Sequence, residues 1–290
     1  MKTIVLALAL LAFAAPARGQ APAVSVPWNP AVPPGTAEHA ARKLQESPRH
    51  GQWIDIKLND GTPLKSWIVY PERADKAGVV LVIHDIFGMR DLARAMGDQL
   101  AQEGFIAIVP DFLSAKGPNG GGSESLGRGV NQAISSLSSA DVNARLDAAM
   151  AYGKNLPASN GKTAVIGFCW GGAQSFGYAA HQPALAAAVV YYGQAPGSDS
   201  NAATADSVAE QLASLKAPVL GLYAGNDARI GATIPVTQAA MKKLNKSYDV
   251  HTYEGAGHGF MFAQGNSEAN IQAAAQSWPL VVDFLKTNLK

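Results

Sequence analysis

Cysteine is nearly absent: Cys169 is the single one in 290 residues. That excludes an intramolecular disulfide framework and any multi-cysteine zinc or iron–sulfur site, and it leaves one thiol to be explained by itself. Charge is sparse at 16% of residues and balanced, with 23 Lys and Arg against 22 Asp and Glu. No basic block is long enough to follow a phosphate backbone, so nucleic acid is not an expected partner. No apolar run is long enough to span a bilayer comfortably. What is plentiful is hydrophobic residues, 48% of the chain, enough to bury a full core and too many for a disordered or collagen-like protein.

The first 19 residues stand apart. Lys2 precedes an unbroken apolar run from Ile4 to Ala15, then Pro16 and small residues around Ala17 and Gly19. This is the pattern of a cleavable secretory signal peptide, 1–19, and export without a disulfide fits a bacterial periplasm or exterior. Cleavage after Gly19 removes Lys2 and Arg18 and brings the formal charge from +1 to −1. No transmembrane segment is expected after cleavage. Residues 20–50 are rich in proline and alanine with weak periodicity, and read as an arm or tether lying on the surface, with no folded element before about Gly51.

From Gly51 onward a single α/β domain, 51–290, is expected. Ile54, Ile56 and Leu58 alternate with polar residues, Asn59-Asp60-Gly61 makes a turn, and a β-like run resumes at Leu64, which together predict an antiparallel N-terminal hairpin. After Gly78 the pattern becomes continuous apolar runs: Val79 to Ile83, Phe105 to Val109, Ala164 to Ile166, Ala186 to Tyr191 and Val219 to Tyr223. Strands buried on both faces of a parallel sheet read this way. Helical spacing falls between them at Met89 to Glu103, Ala140 to Asn155, Gly171 to His181 and Ile234 to Asn245, followed by a short strand from Val250 and a closing helix from Ile271. The alternation predicts a mostly parallel central sheet with helices on both faces. A Gly- and Ser-rich insertion, 114–139, breaks the pattern at a strand end, and reads either as a plain surface loop or as a lid over the ligand edge.

The sharpest chemical signal is Gly167-Phe168-Cys169-Trp170-Gly171-Gly172, set between a strand and a helix. This is the GxSxG nucleophile elbow with cysteine in the serine position, where a tight strand-to-helix turn demands small neighbours. The helix N-terminus beside the thiol is expected to favour thiolate. A thiol nucleophile needs a base and a group to orient that base. Of the downstream histidines, His181 lies in a helix and His251 in a strand; His258, in Gly255-Ala256-Gly257-His258-Gly259-Phe260, occupies a glycine-flanked loop just beyond a strand end. Asp227 sits at the end of the strand from Val219, and is favoured as the orienting acid over Asp199, Asp206 and Glu254. The expected oxyanion donors are the N–H of Trp170 and that of Ile86, after the early strand. His84 and Asp85 occupy the same strand end and either reach the site or cap the turn.

These segments, with Val109-Pro110-Asp111, Ser159-Asn160-Gly161-Lys162 and Gly225-Asn226-Asp227, resemble the dienelactone hydrolase family of α/β-hydrolases from about Gly51 onward. The resemblance implies a triad of Cys169, Asp227 and His258, no metal, no organic cofactor, and hydrolysis of a small-molecule ester or lactone through a thioester. It also matches Asp85 to an acidic position, glutamate in well-studied members, that helps govern ionisation of the thiol. Family arginines that hold a substrate carboxylate are matched here by Phe262 and by a position near Gly127 with Arg128 beside it. His84, Phe87, Arg128 and Phe262 are therefore the candidate pocket residues, and Trp170 and Phe262 suggest a less anionic, more apolar ester. Two further readings share these residues: an exported ligand-binding protein without turnover, and a peptidase using the same triad.

Overall fold

A computed structural model describes residues 24–290; the expected signal peptide lies outside the described residues. Eight strands form one sheet: β1 (Gly51–Lys57), β2 (Pro63–Val69), β3 (Ala77–Ile83), β4 (Ile106–Pro110), β5 (Ser159–Phe168), β6 (Ala187–Tyr191), β7 (Val219–Ala224) and β8 (Tyr248–Tyr253). Their spatial order is β1-β2-β4-β3-β5-β6-β7-β8. β1 pairs with β2, and β2 with β4, in antiparallel fashion; every other neighbour pair is parallel. The helices are α1 (Ala37–Glu46), α2 (Asp91–Gln102), α3 (Ser123–Leu126), α4 (Val130–Ser135), α5 (Ser139–Lys154), α6 (Trp170–His181), α7 (Ala205–Gln211), α8 (Ala228–Gly231), α9 (Ile234–Lys243) and α10 (Glu268–Asn288). Among the described residues no helix is long and apolar enough to cross a membrane.

The period-two geometry of a strand explains why the central runs contain no polar residue. In β3, Val79, Leu81 and Ile83 enter one apolar cluster with α5 and α6, while Val80 and Val82 enter a second with α2 and α10. Every β3 residue is buried, because both faces are covered. Truncating one such side chain, for example Leu81→Ala, removes about 2–5 kcal/mol of stability. The parallel arrangement sends the C-terminal ends of β3, β5, β6 and β7 to one edge, where the following loops meet.

Residues 24–50 differ from the expected tether. Thr36 caps α1 by accepting the His39 N–H (3.1 Å), and Ala40 packs on Leu92 and Ala95 of α2. Behind them Asp98, 2% exposed, takes the guanidinium of Arg49 (2.8 Å) and the ammonium of Lys43 (3.6 Å). The arm is thus a folded part of the α2 face. Thr36 three residues before His39, with Ala40 and Leu44 on one face, was its signal in the sequence.

The insertion also differs from a plain loop. It winds into α3, α4 and short 3₁₀ turns, and Val130 and Ile134 are buried in the main core. The carboxylate of Asp111, at the end of β4, accepts the Ser123 N–H (2.8 Å), the Ser123 hydroxyl (2.6 Å) and the Leu113 N–H (3.0 Å). That anchor fixes the insertion to the edge of the sheet.

Candidate active site

The turn after β5 forces Cys169 to φ 57° and ψ −115°, a conformation that costs a non-glycine residue about 1–3 kcal/mol. Its surroundings hold it there. A Cβ on Gly167 would lie 2.0 Å from the Gly171 carbonyl oxygen, and one on Gly171 would lie 2.4 Å from the backbone of Ile83 and His84. The Cys169 N–H donates to Tyr191 O (3.1 Å) of β6, so the elbow is tied to the neighbouring strand. The thiol emerges half-buried at the sheet edge.

Two further loops converge on it. His258 Nε2 is 3.0 Å from Cys169 Sγ, and His258 Nδ1 is 2.5 Å from Asp227 Oδ2. Asp227 is buried and also accepts the Ile230 N–H (3.3 Å), which fixes its carboxylate at the start of α8. Asn226 and Gly225 donate to Ala256 O (2.9 Å) and Tyr253 O (2.8 Å), lacing the β7 loop to the β8 loop. Buried Asn270 of α10 accepts the Gly257 N–H (2.8 Å) and holds the histidine loop from behind. The rivals lie elsewhere: His181 pairs with Asp147 (3.1 Å) and Asp206 with Lys243 (2.7 Å).

The thiol departs from the expected drift toward thiolate. Burial pushes its pKa above the ordinary cysteine value, and the charges of Asp85 and Asp227 add to that; the Trp170 N–H directed at the sulfur and the Arg229 guanidinium work the other way without overcoming it. His258 Nε2, 3.0 Å from the sulfur, is placed in line with the thiol, and His258 Nδ1 with the Asp227 carboxylate.

The loop after β3 arranges the remaining residues. The Ile86 N–H has no hydrogen-bond partner among the described residues. His84 is 1% exposed: its Nδ1 faces Asp85 O (2.9 Å) and its Nε2 accepts the Phe112 N–H (3.3 Å), while the ring stacks on Trp170 (5.9 Å). Burial keeps it below the ordinary imidazole range. It therefore braces two loops from within and does not line a pocket. Asp85 accepts the Phe87 N–H (2.9 Å) and binds Arg90 (2.5 Å), with no hydrogen bond to the thiol. Phe87 is 52% exposed, with the Arg90 guanidinium 4.9 Å from its ring centre.

Phe262 is partly buried and has a packing role. Its ring lies 4.5 Å from that of Phe168 and packs into the space between the core and the α1–α2 pair, so an apolar residue here serves packing. Arg128 is exposed in the insertion and makes no hydrogen bond or ion pair with the triad residues or the β3 loop. Tyr192 was not foreseen. It has φ 40°, its ring meets His258 edge-on at 5.1 Å, and its buried hydroxyl has no partner among the described residues. Burial, then the charges of Asp85 and Cys169, hold that phenol far above its usual range. Its only signal was the Tyr-Tyr-Gly at the end of a strand. Among the described residues no group of three or more His, Cys, Asp or Glu side chains is placed to hold a metal.

The comparisons with known proteins agree with this architecture. The model of the dienelactone hydrolase family matches residues 64–289. The chain is 32% identical to a protein of Methylorubrum extorquens named "Putative carboxymethylenebutenolidase", over 80% of this chain and 79% of that one. It is 29% identical to a protein of Yersinia pestis with the same name, over 78% of this chain and 84% of that one. A crystal structure titled as a "Putative Dienelactone Hydrolase" from Klebsiella pneumoniae superposes with a TM-score of 0.68 at 27% identity, covering 81% of this chain and 98% of that one. Fold, elbow and family match converge: the chain belongs to the dienelactone hydrolase family of ester and lactone hydrolases, on the α/β-hydrolase fold.

Proposed function

We propose that the chain hydrolyses a small carboxylic ester or lactone with Cys169 as nucleophile, His258 as general base and acid, and Asp227 as the group that orients His258. The observation that carries the reading is the unbroken contact line from Cys169 Sγ to His258 Nε2 (3.0 Å) and from His258 Nδ1 to Asp227 Oδ2 (2.5 Å). Because burial keeps the thiol protonated at rest, attack is concerted with transfer of its proton to Nε2. Asp227 holds the Nδ1–H tautomer and stabilises the imidazolium as it forms.

Sulfur attack on the carbonyl carbon gives a tetrahedral oxyanion. The Trp170 N–H, at the first turn of α6, and the unpaired Ile86 N–H are the donors that receive it. Collapse breaks the carbon–oxygen bond, and His258 returns the proton to the leaving alkoxide. Water then adds to the thioester with His258 as base, releasing the acid and restoring the thiol.

Hydrolysis of 4-nitrophenyl acetate, a panel of small lactones and chromogenic peptides, by wild type and Cys169→Ala, tests this reading. Turnover of esters or lactones that Cys169→Ala loses is expected. Cleavage of peptides alone would favour the peptidase, and no turnover beside a readily alkylated Cys169 would favour the binding protein. Export belongs to the same proposal, on the strength of the apolar run Ile4 to Ala15 before Pro16. N-terminal sequencing of the secreted protein should begin near Gln20.

A further inference from the structure

We infer that the Gly- and Ser-rich insertion is a working part of the catalytic centre: through Ser123 and Val130 it holds the turn that presents the Ile86 N–H to the oxyanion. Both are then positioning residues for acyl transfer. This deepens the hydrolase reading above and rests on it.

Ile86 is the second residue of the turn from Asp85 to Gly88, which the Gly88 N–H closes by donating to Asp85 O (3.1 Å). The upstream limb is fixed from inside the fold, where His84 Nδ1 faces Asp85 O (2.9 Å) and His84 Nε2 accepts the Phe112 N–H (3.3 Å). The downstream limb is fixed by the insertion. The Met89 N–H donates to Ser123 Oγ (3.0 Å), and the same hydroxyl donates to Asp111 Oδ1 (2.6 Å). Asp111 in turn accepts the Ser123 N–H (2.8 Å) and donates its own N–H to Lys65 O of β2 (2.9 Å). A continuous line of contacts therefore runs from the backbone of the sheet, through Asp111 and Ser123, into the oxyanion turn.

Packing reinforces that line. Ser123 and Asp111 are each 4% exposed, so water competes little for the hydroxyl's two bonds. Gly88 has φ 76°, and a Cβ there would lie 2.6 Å from Ser123 Oγ and 2.9 Å from Val130 Cγ1, which puts the insertion directly on the backbone of the turn. The Ile86 side chain packs on the apolar cluster that contains Val130 and Ile134. An oxyanion donor works by pointing the right way before the charge develops. The Ile86 N–H has no partner of its own among the described residues, so its direction is inherited from the two limbs of the turn.

The test separates a step that forms an oxyanion from one that does not. Acylation of Cys169 by 4-nitrophenyl acetate, read from the burst, needs the oxyanion donors. Alkylation of the same thiol by iodoacetamide displaces iodide at a saturated carbon and forms no oxyanion. Both rates are measured on wild type, Ser123→Ala and Ser123→Thr, with urea unfolding to establish that each variant is folded. Acylation should slow by about tenfold to a hundredfold in the alanine variant, with KM and the alkylation rate within about twofold of wild type, and threonine, which keeps the hydroxyl, should recover most of the loss. Unchanged acylation would overturn the inference, as would an equal loss in both reactions, which is the mark of a disturbed elbow or triad. If Ser123→Ala does not fold, Val130→Ala decides in its place: the same split at smaller size is expected, and its absence counts against the inference. Wild type that hydrolyses no ester or lactone would remove the hydrolase reading and this inference with it, whereas an active wild type beside an equally active Ser123→Ala removes the inference alone.

Discussion

The carboxylate of Asp85 faces Arg90, at 2.5 Å, and not the sulfur of Cys169. Its second oxygen accepts the Phe87 N–H (2.9 Å), so both oxygens are committed within their own loop. The charge still opposes ionisation of the thiol. Arg90→Gln should leave that charge uncompensated and move the rising limb of the kcat/KM pH profile upward, by about half a unit to one unit, with Arg90→Lys restoring most of it. An unmoved profile in the glutamine variant would separate Asp85 from the thiol's chemistry.

Asp227→Asn keeps the size of the side chain but favours the wrong imidazole tautomer. A loss of about 10³- to 10⁴-fold in kcat is expected, with little change in KM. His258→Gln should cost at least as much. The double variant should be no slower than His258→Gln alone, since the two side chains act through one proton path. Additive losses, measured as rates of the single and double variants, would contradict that coupling.

His84 gives the fold a pH dependence of defined sign. Burial holds its folded-state pKa below the ordinary 6.5 of the unfolded chain. Between those values the unfolded state binds the extra proton, so stability rises with pH through the window and is lost as pH falls below about 6.5. This one proton contributes at most about 1.4 kcal/mol per pH unit. Urea unfolding at about pH 7.5 and about pH 5 should show a smaller difference for His84→Gln than for wild type. Equal differences in the two proteins would place the titration elsewhere.

Asp98 neutralises two cations beneath α1. Asp98→Ala leaves Lys43 and Arg49 without their carboxylate and should lower stability by about 3–5 kcal/mol, with earlier proteolysis near α1. A cost within about 0.5 kcal/mol would show that α1 is held by Ala40, Leu92 and Ala95 alone.

Particular residues explain how far the sequence could be read. Cys169 was legible because backbone crowding at Gly167 and Gly171 leaves a local mark in the chain. The same holds for the strands, whose burial on both faces writes continuous apolar runs. His258 and Asp227 were legible from their places after strand ends, once the parallel order was inferred. His84 was not, since burial of a polar ring depends on Phe112 and Trp170 from distant loops. Nor was the orientation of Phe262, which is decided by α1, an element hidden behind a proline-rich segment. The charge on the thiol is likewise a sum over burial and four neighbours, of which only the helix terminus is visible locally.

The most direct test is pre-steady-state hydrolysis of 4-nitrophenyl acetate by the full chain, quenched in acid and followed by peptide mass spectrometry. The account requires a burst of one nitrophenolate per active site with a single acetyl group on Cys169, and prior treatment with iodoacetamide should abolish both. Turnover without a burst or an acetylated Cys169, or turnover that survives alkylation of that thiol, would contradict it.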